Sequence, residues 1–472
     1  MSQLDRRLQQ RQLRERLAAE FPDFDLLNWY VQYRELKAAH PNTVLLYRLG
    51  DFYETFDDDA KLIADLLEVT LTYKKFANHR RSKAEQRAPM AGMPYHAIER
   101  YVSALVGAGY RVAIAEQVSE TPSSKSDTRP RSVFAAGLEQ GERRKDIVDR
   151  EVVRVITPGT VIDSAMLAPT QNNYLVAVLA EGARVGVAYA DLSTGEFCCT
   201  EFGGERAGTQ AQGELSRLQA SEVLVPDDAA LRLPGLDPSS ARLEHDLEFM
   251  TKDEREKLLP GERVARRVER ENTARWAHGH ITGWPAWRWK LTNAADALQQ
   301  QLRVHSLDGF GLRDKPLAAR AAGAIIQYIH ETQRNAASQI TTLRTYTTGG
   351  TMFLDPQTRR NLELLEGSNG KAKDSLVGVL DHTRTPMGGR LLRRWIAQPL
   401  IDIGQLRARQ DGVQHFADDA LLRATVRERL KSVGDLERVV NRVLQGVAVA
   451  TPRDLVRLRE GLRALPALAE AL

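Results

Sequence analysis

From Ser119 to Asp149 the chain runs through Ser, Thr, Pro, Arg, Lys, Glu and Gly with few large apolar residues. No single hydrophobic core can be continuous across such a stretch, which reads as an exposed insertion or linker. The chain's 472 residues also exceed what one core holds, because domains usually run to about 100–200 residues. The fold must therefore be built in pieces, about three of them.

The pieces differ in pattern. Residues 1–35 read as a charged helical lead-in. Val44 to Phe56 reads as strand, break at Gly50-Asp51, then strand, and Asp57 to Leu67 carries apolar residues at Ala60, Ile63, Ala64 and Leu67, the spacing of one helical face. Ala97 to Ala108 repeats that period and Arg111 to Gln117 returns to strand, which predicts a mixed α/β domain. Strand-like runs follow at Val152–Ile156, Tyr174–Leu179, Val185–Ala190 and Glu196–Thr200, with a hairpin turn at Ser193-Thr194-Gly195. A helix near Leu215–Ala220 and the strand Glu222–Val225 complete a second α/β domain. Beyond about Leu291 the chain reads as helical. Asp355-Pro356, Thr385-Pro386 and Thr451-Pro452 each set a capping side chain before a proline whose φ already suits a helix.

The chain is 42% hydrophobic and 27% charged. It lacks an eighteen-residue apolar run and an apolar leader, which excludes a membrane span and a signal peptide. Adjacent Cys198 and Cys199 have no metal-ligand spacing. A cytosolic location is expected. Net charge is only +4, but Leu71–Met90 holds Lys74, Lys75, Arg80, Arg81, Lys83 and Arg87 against Glu85 alone. That run reads either as a solvated loop or as a track for a phosphate backbone.

Catalytic motifs fare poorly. Gly367-Ser-Asn-Gly-Lys-Ala372 is too short for a phosphate-cradling loop and lacks its hydroxyl. Asp191 and Glu196 flank a turn, where a two-metal nuclease needs three or four converging carboxylates. His278 and His280 have no evident third ligand. Trp276, Trp284, Trp287 and Trp289 read as core more readily than as base-stacking rings. No catalytic residue and no metal site is expected.

Phe52 and Glu54 are two apart in a strand, so both point to one face while Tyr53 points to the other. A ring on such an edge can insert between base steps, which is cheapest where pairing is already defective. A carboxylate near phosphates is tolerable only if it accepts a hydrogen bond from a base edge or takes up a proton there. By themselves these residues also read as two ordinary strand positions.

The wider text resembles the bacterial MutS family of DNA mismatch-recognition proteins. The matching segments are Gly50-Asp-Phe-Tyr-Glu-Thr-Phe56, Pro89-Met-Ala-Gly-Met-Pro-Tyr-His96, Ala113-Ile-Ala-Glu-Gln117, Val153-Arg-Val-Ile-Thr-Pro-Gly-Thr160 and Asp191-Leu-Ser-Thr-Gly195. They continue with Leu354–Leu364, Thr385-Pro-Met-Gly-Gly-Arg390 and Val433-Gly-Asp-Leu-Glu-Arg438, all in the family's order.

Beside the lead-in at 1–35 and the insertion at 119–149, which is longer than the family leads one to expect, the resemblance implies a multidomain chain: an α/β mismatch-recognition domain at 36–118, an α/β RNase H-like connector without nuclease function at 150–275, and the first part of an all-α core and lever at 276–472. It implies that Phe52 stacks on a mispaired base and Glu54 hydrogen-bonds it. It makes Lys74, Lys75, Arg80, Tyr95 and His96 the candidates for backbone contact. The family's clamp helices and ATPase, with their ATP and Mg²⁺, are expected after Leu472, so no cofactor and no ATPase activity is expected of these residues. Mispaired duplex DNA is the expected partner. A MutL-type repair protein and homodimerisation are expected of the full-length protein, and a partner-binding or regulatory piece with weak DNA affinity is the alternative.

Overall fold

Two separate sheets organise the chain in the computed structural model, which describes residues 12–13, 15–80, 82, 84–117, 150–227, 280–333, 339–446 and 449–472. Contacts divide the chain into Met1–Ile156 and Thr157–Leu472. The 119–149 insertion, Trp276 and His278 lie outside the described residues.

The first unit holds a seven-stranded mixed sheet in the order β1-β4-β5-β3-β2-β6-β7. Its strands are β1 (Phe24–Leu26), β2 (Val44–Leu49), β3 (Phe52–Phe56), β4 (Thr72–His79), β5 (Glu85–Pro94), β6 (Val112–Gln117) and β7 (Arg150–Ile156). Only β2 and β6 run parallel. Helix α1 (Asn28–Ala39) sets Trp29, Tyr33 and Leu36 on one face, against Leu45, Tyr47, Phe56, Ala113, Ala115 and Val155. Helices α2 (Asp57–Leu67) and α3 (Ile98–Gly107) pack on the other face through Ala60, Ile63, Val102 and Leu105. Alternation along each strand supplies both cores at once, as a sheet covered on two sides requires.

Three expectations change here. The stretch 1–35 is not one lead-in helix. Its described part contributes β1 and most of α1, and Tyr30 and Tyr33 are buried because their rings cover the sheet. Of the basic run, Lys74 and Lys75 lie on β4 and Arg87 on β5, two paired strands with a bulge between Lys75 and Ala77, and Arg80 directly follows β4. The strand at 150–156 does not open the second domain. It pairs antiparallel with β6 and closes the first sheet.

In the second unit, β8 (Tyr174–Glu181), β9 (Arg184–Asp191) and β10 (Glu196–Gly203) form an antiparallel meander. Strands β11 (Glu222–Pro226) and β12 (His280–Trp284) extend it in parallel on one side, and β13 (Arg344–Thr345) does so on the other. Helix α4 (Ala207–Leu218) covers the face of Val176, Tyr189 and Cys198. Helices α5 (Leu291–Leu302) and α6 (Pro316–Thr332) cover the face of Leu175, Ala188 and Cys199. The two free cysteines therefore lie in different cores. Residues 280–332, expected in the all-α core, belong with this sheet, because the apolar stripe of α6 is spent on it. Trp284 and Trp289 are core as expected, whereas Trp287 is exposed.

Helices follow: α7 (Pro356–Asn361), α8 (Leu376–Leu380), α9 (Pro386–Ala397), α10 (Ile403–Asp418), α11 (Ala420–Leu430), α12 (Leu436–Leu444) and α13 (Pro452–Ala469). The proline-preceding caps behave as the sequence predicts: Asp355 Oδ1 accepts from the amides of Gln357 and Thr358 at 2.9 Å, and Thr385 Oγ1 from Gly388 at 3.1 Å. At α13 the amide and hydroxyl of Thr451 both donate to Asp454 Oδ2 at 2.8 Å, and Arg442 pairs with the same oxygen at 2.9 Å. Burial works against the Asp454 carboxylate, but the Thr451 donors and Arg442 outweigh it and lower its pKa. A lowered folded-state pKa stabilises above the unfolded value of about 3.9 and is lost as pH falls through the folded one. Asp454→Asn is expected to cost about 1–2 kcal/mol at neutral pH. In urea melts at several pH values, the gap from the parent should close below about pH 4; a constant gap would reject the assignment.

Candidate nucleic-acid interface

The turn at Gly50-Asp51 joins β2 to β3 and fixes their register as Leu49 opposite Phe52, Arg48 opposite Tyr53 and Tyr47 opposite Glu54. Gly50 takes a φ of +61°, which a glycine adopts without steric cost. Along β3 the alternation places Phe52, Glu54 and Phe56 on the face that α1 covers. Coverage runs out along the strand: Phe56 is fully buried, the Glu54 side chain keeps 14% exposure and Phe52 keeps 48%. Tyr53 is buried on the opposite face, where its hydroxyl donates to Glu116. Burial, then that bond to Glu116, pushes the Tyr53 phenol up.

Glu54 is not alone. Lys74, on the same face of β4, forms an ion pair with Glu54 Oε2. Its ammonium also lies 5.4 Å from the Trp29 ring centroid and 5.9 Å from that of Phe56. Behind this pair Tyr30 donates to Asp57 at 3.1 Å and accepts from Arg34 at 2.8 Å. Burial, reinforced by Asp57, raises the Tyr30 phenol to about 12.

The structure does not gather every predicted residue. Phe52, Glu54 and Lys74 share one face. Tyr95 does not join them: its amide donates to Asp51 O at 2.9 Å, but its ring lies against Arg48 on the side of Tyr53, and both Tyr95 and His96 are exposed. Lys75 alternates to the opposite face and pairs with Glu85 at 3.1 Å. Arg80 lies six residues further along the hairpin than Lys74, roughly 20 Å away, and pairs with Asp25 at 2.9 Å. Sequence reasoning missed Arg48, whose guanidinium stacks 4.5 Å over Tyr95 and 5.2 Å over Tyr53. The turn at Gly50-Asp51 was the available signal, because its register sets Arg48 opposite Tyr53.

The other candidate sites dissolve into structure. Asp191 is fully buried and accepts from Asn172 at 2.8 Å, the amides of Asn173 and Ser193 at 3.2 and 2.9 Å, and the Ser193 hydroxyl at 2.6 Å. Glu196 is held by Arg394 at 2.8 Å. Among the described residues no cluster of three or more His, Cys, Asp or Glu could hold a metal. Burial lowers the pKa of His280. In the 367–372 loop the amides of Gly367, Ser368, Gly370 and Lys371 are already taken by Lys371 O, Glu363, Gly367 O and Asn369. Those residues do not fit a nucleotide phosphate. Among the described residues no helix is long and apolar enough to cross a membrane.

The segment Val433–Arg438 joins the helices to the second sheet. Arg438 donates to Ser193 Oγ at 3.1 Å and to the carbonyls of Ala168 and Gln171 at 3.0 and 2.5 Å. Arg390 forms a fork with Asp435 at 2.7 and 2.8 Å and reaches Glu437 at 2.7 Å.

Comparison with known proteins agrees with this architecture. Residues 29–165 match MutS domain I, 173–341 match MutS domain II and 357–472 match MutS domain III. The DNA mismatch repair protein MutS of Roseiflexus sp. strain RS-1 is 65% identical over 476 aligned residues, covering 100% of this chain and 43% of that protein. That of Chloroflexus aurantiacus strain J-10-fl is 57% identical, covering 95% and 47%. That of Thermosynechococcus vestitus is 41% identical, covering 93% and 44%. The chain thus spans less than half the length of these relatives, and it belongs to the MutS family, carrying its domains I, II and III.

Proposed function

We propose that this chain binds double-stranded DNA at mispaired or unpaired bases, Phe52 inserting beside the defective pair and Glu54 accepting a hydrogen bond from the displaced base edge. One observation carries the reading: a half-exposed phenyl ring and a carboxylate share one strand face where the cover of α1 ends. Insertion costs a few kcal/mol of unstacking, which a defective pair has already partly lost. The selectivity therefore needs no sequence reading. Lys74 offsets the repulsion between Glu54 and phosphates, and when Glu54 turns to a base the freed ammonium is available to the backbone.

The protein acts in DNA mismatch repair, in the cytoplasm at the nucleoid. For the whole protein we infer the family's ATP hydrolysis with Mg²⁺, a MutL-type partner and a homodimer. None of that ATP chemistry is assigned to residues of this chain.

The test is titration of the chain, at one fixed salt concentration, with labelled duplexes carrying different single mispairs and with the matched homoduplex. Tighter binding to heteroduplexes is expected; equal affinity for all would refute the reading. Glu54→Ala is expected to reorder the mispairs by about 1–3 kcal/mol each while moving homoduplex affinity little. An unchanged ranking would remove Glu54 from the base contact.

A further inference from the structure

Gly92 lies in the interior of β5, directly opposite Glu54. Glycine weakens a strand interior, so a glycine there calls for a reason. Elsewhere in the chain packing supplies one: a Cβ at Gly186 would collide with the backbone of Leu317, and one at Gly323 with Ala294. At Gly92 neither packing nor backbone does. Its φ lies outside the left-handed region, and a Cβ would meet only Met90 Sδ at 3.7 Å, Glu54 Cγ at 3.9 Å and Phe52 Cδ1 at 4.0 Å. These are ordinary contact distances, so the folded chain has room for a side chain and does without one.

The gap is bounded by the residues that matter. Along this face Phe52 stands beside Pro94, Glu54 beside Gly92 and Phe56 beside Met90. The β4 ladder stops at Thr72 opposite Met90, so no β4 residue pairs with Gly92 on its outer side. The side-chain layer therefore has one missing member, between the ring and the carboxylate.

We propose that Gly92 is a specificity-determining position whose absent side chain forms the slot that a base enters when it stacks on Phe52 and hydrogen-bonds Glu54. The inference rests on the mismatch reading above and deepens it. A methyl at Gly92 would stand between the two groups the base must reach together. It would not disturb the protein, and it would relieve the glycine's cost to the strand.

The test compares the parent chain, Gly92→Ala and Phe52→Ala by thermal melting and by fluorescence anisotropy with a labelled G·T heteroduplex and its homoduplex. Gly92→Ala is expected to melt at or above the parent temperature and to keep homoduplex affinity. It should lose roughly tenfold of the heteroduplex preference, the scale of one overpacked methyl. A clear fall in melting temperature would make Gly92 a structural requirement and overturn the proposal. Retained preference in Gly92→Ala beside its loss in Phe52→Ala would also overturn it, with the wedge reading intact. If Phe52→Ala too kept the preference, or the parent had none, the mismatch reading itself would fall and this inference with it.

Discussion

Phe52→Ala is expected to reduce the preference for a G·T heteroduplex by roughly 5- to 150-fold, since stacking one base on an aromatic side chain contributes about 1–3 kcal/mol. The residual homoduplex binding should survive, because non-specific affinity comes from phosphate contacts that Phe52 does not make. Stability should change by no more than about 0.5 kcal/mol, the usual range for an exposed position away from the core. Phe52 qualifies, being 48% exposed where Phe56, four residues on, is fully buried. The pair makes an internal control. Phe56→Ala should cost about 3–5 kcal/mol and impair binding only through loss of fold. Melting curves and titrations on both variants separate the roles; a Phe52→Ala chain with undiminished heteroduplex preference would reject the wedge.

The largest effect on stability is expected at Glu222, a residue the sequence presents only as the start of a short strand. Its side chain is fully buried and collects four donors. Oε2 accepts from the Thr157 hydroxyl at 2.5 Å and the Gly159 amide at 2.9 Å, and Oε1 from the hydroxyls of Thr282 at 2.7 Å and Tyr328 at 2.6 Å. It thus ties β11 to β12, to α6 and to the Thr157–Thr160 turn. Each buried donor left without an acceptor costs about 1–3 kcal/mol, so Glu222→Ala is expected to destabilise the second unit by roughly 4 kcal/mol or more. Glu222→Gln should cost about half of that. Its amide nitrogen can take the place of Oε1, where both partners are hydroxyls able to turn and accept, while its oxygen keeps the Gly159 amide. Urea denaturation of the two variants checks the order. Equal losses would mean that the carboxyl group's charge, and not its four acceptor positions, holds the site.

Much of the architecture was legible because it is local. The 3.6-residue period at Ala60, Ile63 and Ala64 marks α2, and the caps before Pro356, Pro386 and Pro452 mark three helix starts. The two-residue alternation at Phe52, Tyr53 and Glu54 put the ring and carboxylate together and the phenol apart. Capping, helical period and strand alternation act within one turn or one strand, so their signals lie in neighbouring residues.

Domain membership was less legible, for a different reason. Nothing in the text of Arg150–Ile156 says that it pairs with β6 across an intervening segment, nor that α5 and α6 spend their apolar faces on the second sheet. An apolar stripe states that something must cover it, not what does.

What the sequence determined by itself is therefore a strand that carries Phe52 and Glu54 outward together, and eight ordered segments that identify the family. What only the tertiary structure decided is the surroundings of that strand. It set where the cover of α1 ends, which lysine of the basic run meets Glu54, which of its companions point elsewhere, and that Gly92 leaves a gap between ring and carboxylate. Those outcomes depend on register between strands far apart in the chain, and hydrogen-bond register is a property of two segments that neither one encodes alone.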